Sequence, residues 1–122
     1  MKISFDDLNP FDRAFFTAAF CSLDNNELCT NAPSQLWKKL DAVNKKTMLY
    51  TLHNWRIAHE GILSLAGTHE QNGYDLWTHQ GSYGAGFWNR GYSVELTAEL
   101  CKAARELDPL ECFLEADSVF IE

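Results

Sequence analysis

The stretch "YDLWTHQGSYGAGFWNRG" constrains the fold more than any other part of this chain. It places two tryptophans, four glycines, a histidine and an arginine within eighteen residues. The segment "YDLWTH" alternates as a β-strand does, with Asp75, Trp77 and His79 on one face. The glycines of "QGSYG" suit a turn, and "AGFWN" offers a short return strand with Phe87 and Trp88 on opposite faces. The stretch therefore predicts a β-hairpin.

The residues before this hairpin predict helices. Asn9 followed by proline is typical of a helix start, and the helix then continues through "FDRAFFTAAFCS". A short helix is expected over residues 34–40. A longer one begins near Asn44, whose side chain suits the cap, and continues to about Ala66 at helical apolar spacing. Gly67 suits the left-handed residue that ends such a helix.

After the hairpin, the chain predicts one more helix and two more strands. Ser93 can cap the helix, and Asp108 with Pro109 ends it. The segments "ECFLEA" and "VFIE" read as two short strands. The order favours a single α+β domain over 1–122, with N-terminal helices packed on a small antiparallel sheet in the order strand pair, helix, strand pair.

The composition argues against nucleic-acid binding, secretion and membrane insertion. The chain has 122 residues, 46% of them hydrophobic and 13% aromatic, and a formal net charge of −7. Such acidity argues against direct binding of a nucleic-acid backbone, which requires a clustered basic patch. Asp6 and Asp7 interrupt the apolar segment that a secretory signal requires, and no run is long enough for a membrane span. We therefore expect a cytoplasmic protein without a membrane partner.

The cysteine pattern agrees with that compartment. The four cysteines form no CxxC pair, which favours reduced thiols over disulfides or a metal site. They are Cys21, Cys29, Cys101 and Cys112. We expect Cys101, inside a helix, to be buried and inert.

The stretch "GYDLWTHQGSYGAGFWNRG" also resembles a motif of small proteins encoded by bacteriophages and plasmids. The resemblance is specific over about twenty residues, and the N-terminal "FFTAAFCSLDN" is similar to that family's opening helix more weakly. The matching positions are Gly73, Asp75, Leu76, Trp77, Gly84, Gly86, Phe87, Trp88 and Arg90. Leu76 replaces a common aromatic residue, Asn89 the usual acid, and Tyr83 a common histidine. The resemblance implies a mobile-element origin and no defined reaction. Because this chain has a tyrosine at position 83, any catalytic role of the family's histidine there cannot be carried over to it.

Two interpretations remain for the polar residues of the motif. Asp75, His79 and Arg90 beside the tryptophans would suit an anion or a flat ligand, since arginine offers two parallel donors. Alternatively, Asp75 and Arg90 pair with each other and fix the loop without a ligand. The glycine spacing matches neither a Walker loop nor a dinucleotide fingerprint. We instead expect Gly84 and Gly86 to let the backbone pack under aromatic rings.

The remaining histidines do not predict a metal or cofactor site. His59 lies on an apolar helical stripe, where a hydrogen-bonded residue at the edge of the core is the common finding. The pairs His59-Glu60 and His69-Glu70 lack the second histidine one helical turn away that a zinc protease requires.

The sequence thus supports two main functional hypotheses. The first is a non-enzymatic accessory protein of a phage or mobile element that binds a host or phage protein and modulates a host defence or nucleic-acid enzyme. The second is a small enzyme or ligand-binding protein that uses Asp75, His79 and Arg90 beside Trp77 and Trp88. DNA mimicry and a homo-oligomer remain open as narrower alternatives. The candidate site residues are Asp75, Trp77, His79, Tyr83, Gly84, Gly86, Phe87, Trp88 and Arg90.

Overall fold

The first helix begins where the sequence predicts it. In the computed structural model, which describes residues 3–23, 33–80, 86–107 and 110–122, helix α1 spans Pro10–Cys21. The side chain of Asn9 accepts a hydrogen bond from the backbone N–H of Asp12 at 2.9 Å. A short 3-10 helix, Phe5–Asp7, precedes α1, and helix α2 follows at Pro33–Lys39.

The predicted long helix is divided in two. Helix α3 spans Ala42–Ala58, and helix α4 spans Glu60–Ser64. Asp41, rather than Asn44, caps α3, since its carboxylate accepts the N–H of Asn44 at 3.0 Å. The amide of Asn44 instead donates to the carbonyl of Ile121 at 2.8 Å and accepts its N–H at 2.7 Å. Gly67 does not adopt the left-handed conformation that we expected.

The largest correction concerns the hairpin. Helix α5 spans His69–Gln80 and replaces the first predicted strand. Leu76 and Trp77 are adjacent and are both buried, which a strand with one covered face would not allow but an enclosed helix does. Thr68 caps the helix by accepting the N–H of Gln71 at 3.1 Å. The segment "THEQNG" that suggested a turn is therefore a helix start.

The second predicted arm of the hairpin is also helical. Phe87–Asn89 forms a 3-10 helix, and Gly81 and Gly84 lie outside the described residues. Helix α6 spans Val94–Arg105 and begins at Ser93 as predicted, since the Ser93 hydroxyl accepts the N–H of Leu96 at 3.1 Å.

The C-terminal strand pair is confirmed. Strands β1 (Cys112–Glu115) and β2 (Ser118–Ile121) pair antiparallel, with Cys112 opposite Ile121. The α+β class is therefore confirmed, but the described part of the chain contains this strand pair alone. Val119 joins the sheet to the helices, because its carbonyl accepts the N–H of Asp41 at 3.0 Å.

A cluster of aromatic side chains forms the core between α1 and α5. Phe15 meets Trp77 edge to face at a ring distance of 5.5 Å, and Phe16 meets Trp37 in the same manner at 5.0 Å. Each such pair adds to the stability that burial of the rings already gives. In the part of the chain that the structure describes, no helix has the length and apolarity needed to cross a bilayer.

Candidate functional site

An ion pair between a buried aspartate and a partly exposed arginine is the centre of the candidate site. Asp75 on α5 has no exposed surface, and Arg90 lies just after the second 3-10 helix. The guanidinium donates from Nε to Oδ2 at 2.9 Å and from Nη2 to Oδ1 at 2.7 Å. This is the two-pronged geometry in which arginine binds carboxylates most strongly. The predicted pairing of Asp75 with Arg90 is confirmed, although it joins a helix to a loop rather than two ends of a hairpin.

The ion pair also fixes the charge and the orientation of the Arg90 guanidinium. Hydrogen bonding to the Asp75 carboxylate raises the pKa of Arg90, so the guanidinium stays charged. About a third of the Arg90 side chain, 33%, remains exposed. Because Asp75 occupies Nε and Nη2, the outer edge of the guanidinium is held in a fixed orientation toward the surface. Asp75 thus acts as a positioning residue for Arg90.

The two tryptophans of the motif have different roles. Trp77 is only 1% exposed and packs in the core, as does Phe87, which is fully buried. Trp88 is 43% exposed. Its ring lies 5.0 Å from the ring of His79 in an edge-on contact. Only one of the two indoles is therefore available to a partner.

Gly86 makes the contact between Trp88 and His79 sterically allowed. Its φ of +139° lies in the region that other residues rarely adopt. A Cβ at this position would lie 2.8 Å from the Trp88 ring and 3.2 Å from the Cα of His79. The expectation that Gly86 lets the backbone pack under an aromatic ring is confirmed. Tyr83 and Gly84 lie outside the described residues.

The structure adds Tyr74 to the candidate site. Tyr74 is 44% exposed and lines a shallow groove of about 390 Å³ between α1 and α5, together with Arg90 and Arg13. No sequence signal singles out Tyr74, which lies next to Asp75 on α5 but on the exposed side of the helix. Neither Asp75 nor His79 lines this groove.

A larger groove, of about 470 Å³, is formed by other residues. Phe11, His53, Arg56 and His69 lie in its wall, and none of the seven predicted site residues that the structure describes does. Arg56 is held over the ring of Phe11 at 4.9 Å. The described residues contain no group of three or more metal-ligating side chains.

His59 and Cys101, the other candidates for a catalytic role, are held in structural contacts at the edge of the core and within it. Nε2 of His59 lies 2.9 Å from the Glu106 carboxylate, and the His59 ring packs on Trp55. The interpretation of His59 as a hydrogen-bonded residue at the edge of the core is confirmed. Cys101 is buried, and burial raises the pKa of its thiol, so the nucleophilic thiolate is disfavoured as we expected.

His79 should make stability depend on pH. Its pKa lies below the ordinary 6.5, first because burial disfavours the imidazolium and then because the charge of Arg105 opposes it. The unfolded chain thus takes up a proton at a higher pH than the folded chain does. We expect the free energy of unfolding to fall as pH drops through 6.5 towards the folded pKa, and to level off below it.

Substitution isolates the contribution of His79. Urea unfolding of His79→Gln between about pH 7.5 and about pH 5 should show a weaker loss of stability than the unmodified chain does. The exposed Asn54 on α3 provides the matched control, because Asn54→Gln introduces the same side chain without removing an imidazole and should keep the original pH dependence. Equal slopes for His79→Gln and the unmodified chain would show that folding does not lower the pKa of His79.

Comparisons with protein-family models, curated proteins and solved structures gave no match to this chain. The resemblance to phage and plasmid proteins therefore remains a prediction, and the proposed function rests on the geometry of the site.

Proposed function

We propose that this chain is a protein-binding module whose contact surface consists of Tyr74, Trp88 and Arg90. The resemblance of its motif further suggests an accessory protein of a phage or plasmid. Such a protein would act in the host cytoplasm on a host or phage protein, with a defence or nucleic-acid enzyme as the candidate target. This proposal requires no cofactor and no reaction.

The exposure of these three side chains is the observation that supports the proposal. Tyr74 and Trp88 each leave more than 40% of their surface in solvent, although the neighbouring Trp77 and Phe87 are buried. Tyrosine, tryptophan and arginine are the residues that most often dominate the binding energy of protein interfaces. A rigid support reduces the entropy lost on binding, and Asp75 gives Arg90 that support.

The geometry favours protein binding over the ligand-binding alternative. That alternative requires Asp75, His79 and Arg90 to face a shared cavity lined by both indoles. Instead, Asp75 is buried and bound to Arg90, while Trp77 belongs to the core. DNA mimicry requires uninterrupted negative charge along α6, whereas Lys102 lies on that helix and Glu106 contacts His59.

Affinity capture from a bacterial lysate tests the proposal. The immobilised chain should retain a specific protein that mass spectrometry identifies. Trp88→Ala and Tyr74→Ala should each lower affinity for that protein by roughly tenfold or more, since hot-spot truncations cost about 2 kcal/mol.

Leu114 on β1 provides a matched control. It is an exposed apolar residue at 38% exposure, so Leu114→Ala should bind like the unmodified chain. Circular dichroism would verify that each variant is folded. Capture of no protein at low salt, or equal retention by all variants, would contradict the proposed surface.

A further inference from the structure

Two arginines line the shallow groove between α1 and α5 that also contains Tyr74. Arg13 reaches it from α1, and Arg90 from the loop after the second 3-10 helix. The whole chain has 17 acidic residues against 10 lysines and arginines. Two guanidinium groups in one groove are therefore a local concentration of positive charge on an acidic protein. Negative charge on a partner is the usual complement of such a site.

The ion pair with Asp75 leaves donors on the Arg90 guanidinium for a second group. Asp75 occupies one edge of the guanidinium, which Nε and Nη2 form. Among the described residues, Nη1 has no hydrogen-bond acceptor. Nη1 and the second N–H of Nη2 form another edge with two parallel donors, which also fits a carboxylate. Because Asp75 is buried and does not line the groove, a ligand there would meet the edge that points away from it.

Arg13 has even fewer internal contacts than Arg90. In the part of the chain that the structure describes, its guanidinium makes one long hydrogen bond, 3.5 Å from Nη1 to the carbonyl oxygen of Asp6. Glu70 also lies in the groove wall, but within the same described part it forms an ion pair with neither arginine. Arg13 can therefore turn toward a ligand without breaking a strong contact of its own.

The shape of the groove suits a side chain of a partner protein. Pro10 and Ala14 line it with short apolar groups, and Tyr74 adds an exposed ring. An aspartate or glutamate side chain would place its methylene groups against these residues and its oxygens against the arginines. Sites for small molecules enclose most of the ligand surface, which a shallow groove of about 390 Å³ does not do.

The acidic surroundings of the groove limit which anion can bind. Nucleic acid carries a charge at every phosphate, and its binding requires a cluster of basic residues. Here Glu70 lies in the groove wall, and the exposed Asp6 is next to Arg13. These carboxylates would repel a polyanion, whereas a single carboxylate requires only the two arginines.

We infer that this groove binds an aspartate or glutamate side chain of the partner protein, and that Arg13 and Arg90 hold its carboxylate. The inference rests on the proposed function and specifies the chemical group that the partner presents to the surface of Tyr74, Trp88 and Arg90. It also adds Arg13 to the residues that bind the partner.

Titration with short blocked peptides tests this inference without the partner. The probe is acetyl-Leu-Glu-Leu-amide, whose only charge is the glutamate carboxylate, and NMR follows the isotope-labelled chain. The backbone amides of Ala14, Thr17 and Tyr74, which line the groove, should shift with a dissociation constant on the order of 1 mM. Acetyl-Leu-Gln-Leu-amide should bind at least roughly tenfold more weakly, because it lacks the charge-assisted hydrogen bonds.

Two substitutions in the groove should change the affinity for the glutamate probe in opposite directions. Arg13→Gln removes a cation and should weaken binding by roughly fivefold or more, whereas Glu70→Gln removes an opposing carboxylate and should strengthen it by about twofold. Arg105 on α6 provides the matched control. It is exposed and lies outside the groove, so Arg105→Gln makes the same change in charge and should bind the probe like the unmodified chain. Circular dichroism would verify that all three variants are folded.

Several results would overturn the inference. They are equal binding of the two peptides, no saturable shift up to about 20 mM probe, and equal binding by Arg13→Gln and Arg105→Gln. Tighter binding of acetyl-Leu-Gln-Leu with a free terminal carboxylate than of the glutamate probe would assign the groove to a chain terminus, and would also overturn it.

The titration and the capture experiment can fail independently, because the titration uses no partner. A captured protein whose binding is weakened by Trp88→Ala, together with a probe that does not bind, would support the proposed function and overturn this inference.

Discussion

Arg90→Met is expected to lower the free energy of unfolding by about 2–3 kcal/mol, less than the roughly 3–5 kcal/mol of a fully buried ion pair, because 33% of the Arg90 side chain is exposed to solvent. The Asp75 carboxylate has no exposed surface and accepts two short hydrogen bonds from Arg90. Without the guanidinium, the carboxylate must be buried without that partner or take up a proton. Urea unfolding at neutral pH measures the loss directly.

Two variants distinguish a lost ion pair from a general effect of removing arginine. Arg13 on α1 makes only a long contact of 3.5 Å to the Asp6 carbonyl, so Arg13→Met should change stability by less than about 0.5 kcal/mol. The double variant Asp75→Leu/Arg90→Met removes both charges and should recover most of the stability. If the double variant is as unstable as Arg90→Met, the pair is not what links α5 to the loop.

The pairing of Asp75 with Arg90 could be predicted from the sequence because charge complementarity does not depend on the local backbone. The buried state of Trp77 and Phe87 was not predictable in the same way. In a strand, Asp75 and Trp77 would lie on one face. In the helix, both are buried because other parts of the protein surround most of this stretch. Alternation over six residues does not distinguish a β-strand from a buried helix when apolar side chains occur on both faces.

The start of α5 contained a signal for a helix. Thr68 followed three residues later by Gln71 matches the capping-box pattern, and Thr68 does accept the N–H of Gln71. Asn72 and Gly73 in the same segment suggested a turn because both are common there. Asn72 instead bonds the carbonyls of Leu63 and Gly67, which ties the end of α4 to the start of α5. Only the tertiary structure shows that the asparagine has this function.

Gly73 has a role that neither turn chemistry nor the motif resemblance predicted. It lies in the interior of α5, where α5 packs along α1, and is buried. A Cβ at this position would overlap the backbone carbonyl oxygen of Phe11. The two helices can approach this closely only because residue 73 has no side chain. The same approach brings Trp77 against Phe15 in the core.

Gly73→Ala is therefore expected to destabilise the fold by about 3 kcal/mol or more, since overpacking against backbone forces the helices to shift. Alanine is normally the better residue in a helix by about 1 kcal/mol, so the predicted sign is opposite to that of helix propensity. Gly61 in α4 is the matched control, because a Cβ there has no atom within 4 Å. Gly61→Ala should leave stability unchanged or raise it by up to about 1 kcal/mol. Thermal and urea unfolding of both variants measure the difference, and a Gly73→Ala protein as stable as Gly61→Ala would show that α1 and α5 are not in backbone contact.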